Sequence, residues 1–146
     1  MTWGTCAGYV TTVMEEVKDI LQASAKTHLK EIAGNSMITI GYSPHIADKC
    51  VMIMPGEIDW SRTRDLQKRV QVKLAVQSNM LIGSVDEYQS DIMTDMVGEV
   101  IDELTSDANG TTTSGWFVKD KLICNPRVTI QGMMMYEITI NYYWGP

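Results

Sequence analysis

The chain has 146 residues, with 12 Lys and Arg against 18 Asp and Glu, giving a formal net charge of −6. One domain is expected at that length, large enough to bury about two-thirds of its extended surface without disulfide or metal staples. A 45% hydrophobic, 21% charged composition excludes disordered, collagen-like and coiled-coil classes, and the acidic balance argues against tight gripping of phosphates, which draws on Lys and Arg.

In chain order, Val10, Val13, Met14, Val17, Ile20 and Leu21 recur at steps of three and four, the period of a helix with one buried stripe. Leu29 and Ile32 add a turn or a second short helix before Gly34 and Asn35, so a helical segment with a break is expected from Cys6 to Ala33. The short apolar runs Met37 to Ile40 and Val51 to Met54, bounded by Gly41, Pro44, Pro55 and Gly56, suit strands. From Val70 to Val76 the apolar Val70, Val72, Leu74 and Val76 alternate with Gln71, Lys73 and Ala75, the period of a strand with one face on a core.

Ser84 followed by Glu87 reads as a capping box. Behind it Val85, Tyr88, Ile92, Met93, Met96, Val97, Val100, Ile101 and Leu104 keep helical spacing, despite Gly98. The stretch from Asp107 to Gly115 reads as an exposed loop. Leu122 to Ile130 and Met133 to Trp144 then read as two strands joined at Gln131-Gly132. In the second, Met134, Tyr136, Ile138, Ile140 and Tyr142 share one face. The expectation is a single α+β domain over 1–146, a mainly antiparallel or mixed sheet packed against an N-terminal helix and a second long helix.

Charge is unevenly placed. Between Ser84 and Gly110 stand Asp86, Glu87, Asp91, Asp95, Glu99, Asp102, Glu103 and Asp107, with no Lys or Arg. Glu87, Asp91, Asp95 and Glu99 are spaced by four and stack on one side of the long helix, where like charges repel by roughly 0.2–0.5 kcal/mol per pair, so an isolated subunit gains little from the row. By contrast, Arg62, Arg64, Lys68, Arg69 and Lys73 face only Asp65 in their segment. Three arrangements fit: an acidic face meeting the basic segment of the next copy in a head-to-tail ring, an acidic lining that keeps a polyanion from sticking, or a solvated helix face beside an incidental basic loop.

Chemistry-bearing motifs are lacking. Neither G-x-G-x-x-G nor a phosphate-binding G-x-x-x-x-G-K-[ST] occurs, nor H-E-x-x-H, nor a G-x-S-x-G elbow. His45, Asp48 and Cys50 could be written as a ligand cluster but read as structural or surface residues. Cys6, Cys50 and Cys124 lack neighbouring histidines and, odd in number and widely spaced, fit reduced thiols in a protein made in the cytoplasm. The opening MTWGTCAGYV has no basic n-region, and no run approaches roughly 18 apolar residues, so export and membrane spanning are disfavoured. No catalytic, cofactor or metal residue is expected. The methionines Met52, Met54, Met133, Met134 and Met135 suit either core packing or an adaptable contact surface, and Trp60, Trp116, Phe117, Tyr143 and Trp144 stand at loops or strand ends, where aromatics anchor partners.

The whole-chain order is an amphipathic N-terminal helix, the strand Arg69 to Val76, a loop, the helix Val85 to Leu104 and the closing strand Tyr136 to Tyr143. In this pattern and in size the chain resembles the tail terminator (tail completion) proteins of long-tailed bacteriophages and related viruses, a family without a short diagnostic motif. The resemblance implies a virion structural protein without catalytic residues or cofactors, assembled in the host cytoplasm. It would form a ring, of six copies by the family pattern, on the head-proximal end of the tail tube, ending tube growth and joining the tail to a head-tail connector or neck protein while DNA passes through without tight binding. By the resemblance, the Pro55 to Lys68 segment and the Gly110 to Gly115 loop would touch the tube or the neck and the acidic helix a neighbour or the DNA passage; the candidate interface residues are Trp60, Arg62, Arg64, Lys68, Arg69, Glu87, Asp91, Asp95, Glu99 and Trp116. Alternatives are another neck or minor capsid protein, or a small cytoplasmic ligand-binding or enzymatic α+β domain.

Overall fold

The computed structural model describes residues 6–41, 49–60, 68–81, 87–106, 117–128 and 133–144. The first helical stripe forms α1, Cys6–Gln22, which buries Tyr9, Val10, Val13, Met14, Val17 and Leu21. The expected break falls at residues 23–26, and α2 follows at Thr27–Gly34, burying Leu29 and Ile32. A Schellman motif ends α2: Met37 N–H reaches the Ile32 carbonyl at 2.8 Å and Ser36 N–H the Ala33 carbonyl at 3.2 Å, with Ser36 left-handed at φ 58°.

Five strands form one mixed sheet: β1 (Ile38–Ile40), β2 (Lys49–Asp59), β3 (Arg69–Leu81), β4 (Phe117–Val128) and β5 (Met133–Trp144), in the order β1-β2-β3-β5-β4. Only β1 and β2 are parallel; the other neighbours are antiparallel. The long helix α3, Glu87–Thr105, starts after Ser84, so the proposed capping residue lies outside the described residues, as does the Gln131-Gly132 turn. The single mixed α+β sheet with two helical segments and a long third helix matches the expected class.

Two expectations need correction. β2 does not stop at Pro55 and Gly56 but continues to Asp59, with a register shift between Pro55 and Ile58. Pro55 is tolerated because β1 ends opposite Ile53, so among the described residues no strand asks for the N–H that proline lacks. The first strand of the C-terminal pair starts at Phe117 rather than Leu122, with a bulge between Lys119 and Leu122.

The helices cover one face of the sheet. Ile38, Val51, Ile53, Val70, Val72, Leu74, Val76, Ile138, Ile140 and Tyr142 point into it and join the buried stripes of α1, α2 and α3, where Met96, Val97, Val100 and Leu104 are buried. At roughly 25 cal/mol per Å² of apolar surface, this continuous core is the main stabilising term. The alternation read for Val70 to Val76 is realised, with one addition: Ala75, on the opposite face, is also buried, against Cys50 and Met52.

Candidate interaction surfaces

The loop end of the β2–β3 hairpin gathers three of the expected contact residues. Trp60 follows the last residue of β2 and packs on Tyr9 of α1, ring centroids 5.2 Å apart at 41°. The Lys68 ammonium lies 5.4 Å from the Trp60 ring centroid, a cation–π contact. Arg69 pairs across the hairpin with the exposed Glu57 carboxylate, and its Nε is buried without a hydrogen-bond partner. Gln71 stiffens the same end, accepting the Glu57 N–H at 3.1 Å and donating to Asn141 Oδ1 at 3.2 Å. Lys68 and Arg69 are therefore held against their own chain at the base of the basic segment. Arg62 and Arg64 lie outside the described residues, as does Trp116.

The acidic row on α3 is divided in use. Asp95 is exposed, as is Asp102 further along the helix. Glu99 turns to α2 instead: its Oε1 accepts the backbone N–H groups of His28 at 2.9 Å and Leu29 at 3.1 Å. Those are orphan donors in the first turn of a helix whose N-cap residue, Lys26, makes no side-chain cap. One turn along α3, Glu103 Oε2 accepts the Ser24 hydroxyl at 2.7 Å, while Ser24 Oγ accepts the Lys26 N–H at 3.1 Å. The expectation that an isolated subunit gains little from the row is thus corrected at Glu99, which does the work of a cap from another helix. The side chains of Glu87 and Asp91 lie outside the described residues.

Sequence spacing identified the row but not the cap, because a four-residue period says which carboxylates share a side and nothing about the helix that packs there. A weak signal existed: α2 begins without Ser, Thr, Asp or Asn at its N-cap, so its donors needed an outside acceptor.

The two charged regions sit near opposite ends of α1. Tyr9, beside Trp60, is in its first turn, whereas Asp19 and Glu103 flank a shallow cleft with Ile20 and Ala23 at its last. Ten residues of helix separate Tyr9 from Asp19, about 15 Å.

On the face of the sheet away from the helices, Cys50, Met52 and Ala75 are buried, with Met37, Met54 and Met135 packed against them. Lys73 and Glu137 form an ion pair there at 3.7 Å. Three of the methionines singled out in the sequence thus gather on this face. Burial raises the thiol pKa of Cys50 and of Cys124, and it pushes the Tyr142 phenol far up, with the Glu16 charge adding to the effect. Raised thiol values leave less thiolate, the nucleophilic form. His45 and Asp48 lie outside the described residues. Among the described residues no group of three His, Cys, Asp or Glu is placed to hold a metal ion, and no helix is long and apolar enough to cross a membrane.

No protein-family model matches the chain, and no curated protein matches its sequence.

Proposed function

We propose that the chain is a virion structural protein that closes into a ring on the head-proximal end of a viral tail tube, stops tube polymerisation there and joins the tail to the head. The observation that carries this reading is the separation of charge along one subunit. Exposed Asp95 and Asp102 of α3 belong to the helical layer whose cleft is flanked by Asp19 and Glu103, while Lys68, stacked on Trp60 beside Tyr9, and the neighbouring Arg69 stand near the other end of α1. Complementary patches at distinct places on one subunit generate head-to-tail association, which closes into a ring when the rotation per copy closes. Electrostatic complementarity of this kind sets orientation and encounter rate more than affinity.

Capping then follows from shape. A ring whose lower face copies the end of the tube binds it, and an upper face of different shape offers no seat to a further tube subunit. Its partners are itself, the tube protein and a neck or connector protein, and DNA passes a predominantly acidic subunit without being held.

The test is tube assembly in the presence of the purified chain. Tubes of limited length bearing a ring at one end, seen by electron microscopy, are the expected result. Tubes that grow without limit beside a protein that stays monomeric refute the proposal.

A further inference from the structure

The two edges of the sheet carry matching backbone groups. Val51 N–H bonds the Met37 carbonyl at 2.9 Å and Gly41 N–H bonds the Ile53 carbonyl at 2.8 Å, so Val51 and Ile53 turn their backbone groups to β1. Alternation along a strand then fixes the remaining ladders. Cys50, Met52 and Met54 face β3 at Gln77, Ala75 and Lys73; Val72, Leu74 and Val76 face β5 at Ile140, Ile138 and Tyr136; and Thr139, Glu137 and Met135 face β4 at Ile123, Asn125 and Arg127. What remains on β4 is Leu122, Cys124, Pro126 and Val128 turned outward, and on β1 it is Ile38 and Ile40. Pro126, with no N–H to give, thus sits where the ladder does not need one.

Among the described residues, β1 has no strand neighbour but β2, and β4 none but β5. Natural edges are blunted by shortness, bulges, charge or proline. Here the bulge before Leu122 and Pro126 bracket a four-residue window, Leu122-Ile123-Cys124-Asn125, without Lys, Arg or Pro. It offers two outward N–H and two outward C=O groups, the same set that Ile38 and Ile40 present. Of the exposed large hydrophobic residues described, Ile40 (39% exposed) lies on one edge and Ile123 (44%) on the other, the third being Ile58.

We infer that successive copies of this chain join edge to edge, the Leu122–Asn125 window of β4 in one subunit pairing antiparallel with β1 of the next. The inference rests on the ring reading and deepens it by naming the junction. Direction supports it: β1, β2 and β5 run one way, β3 and β4 the other. Rotation about a ring axis preserves strand direction along that axis, so β4 meets the neighbour's β1 antiparallel, the more stable pairing. The register that satisfies every group sets Leu122 opposite Ile40 and Cys124 opposite Ile38, with Ile123 opposite Thr39.

Proline at an outward-facing position removes the intersubunit donor while leaving the subunit's own ladder whole. With assembly followed by mass photometry and folding by circular dichroism, Ile40→Pro and Cys124→Pro are each expected to reduce wild-type rings to single subunits of wild-type secondary structure. Mixed together, the two variants retain one good edge each and should give a two-subunit species and nothing larger. Wild-type rings that persist in both variants overturn the junction and leave the ring reading standing. Ile40→Pro subunits that pair by themselves overturn it in favour of a symmetric β4–β4 contact, and a wild-type chain that stays single even on tubes defeats both readings. The double variant Ile40→Cys with Leu122→Cys answers the same question without proline. Oxidation should yield a covalent ladder of multiples absent from either single variant, and intact rings without that ladder also overturn the junction.

Discussion

Glu99, in the middle of α3, accepts the backbone N–H of His28 at 2.9 Å, seventy-one residues away in the chain. The same oxygen accepts the Leu29 N–H, and the other carboxylate oxygen lies 3.9 Å from His28 Nε2, an ion pair whenever that imidazole is protonated. One side chain thereby fixes where α2 starts and how it leans on α3.

Glu99→Ala should therefore lower stability by about 1–2 kcal/mol, the loss seen when a helix cap is removed. Glu99→Gln keeps an acceptor oxygen but loses the charge that favours a helix N-terminus, so a smaller loss is expected. Urea unfolding of the two variants checks the order. Equal stability of Glu99→Ala and the parent would remove the cap from the account.

One residue earlier, Gly98 has open space around the position a Cβ would take. Gly98→Ala should stabilise the protein by about 0.5–1 kcal/mol, because alanine narrows the unfolded ensemble and nothing in the folded state is displaced. A raised thermal midpoint is the readout, and a lowered one would mean that the face of α3 at Gly98 is closed.

At Gly56 the outcome reverses. A Cβ there would stand 2.5 Å from Gln71 Oε1 and 2.9 Å from its Cγ, displacing the side chain that ties Glu57 to Asn141. Gly56→Ala should cost about 1–3 kcal/mol, the range for overpacking. Gln71→Ala should relieve much of that cost. A double-mutant cycle that shows no coupling between the two would contradict the contact.

The buried Tyr142 phenol, its pKa raised by burial and then by Glu16, predicts an alkaline limit to stability. Below the ordinary phenol value of about 10 the group is protonated in both states and the slope with pH is zero. Above it the unfolded chain loses the proton while the folded chain keeps it, so stability falls as pH rises. Tyr142→Phe should flatten that decline relative to its own stability at neutral pH, read from urea midpoints across the alkaline range.

Much of the architecture was legible because it follows from period alone. The stripe from Val10 to Leu21, the alternation from Val70 to Val76 and the shared face of Ile138, Ile140 and Tyr142 each buried as their spacing required. What spacing could not supply was the identity of distant neighbours. Pro55 and Gly56 carry turn chemistry, and only the early end of β1 makes a strand tolerable there. The basic segment and the acidic row were visible as charge, but that Lys68 rests on Trp60 and Glu99 on α2 depends on contacts that no local pattern encodes.

The position of β5 bears on how the protein is made. It follows β4 in the sequence, yet it lies between β3 and β4 and pairs with both. While a nascent chain has reached only residue 132, β3 lacks one neighbour and β4 has none within the sheet. The ribosome must deliver residues 133–144 before the sheet can close, so folding of this sheet waits until β5 has emerged. The half-built sheet is open to aggregation in that interval.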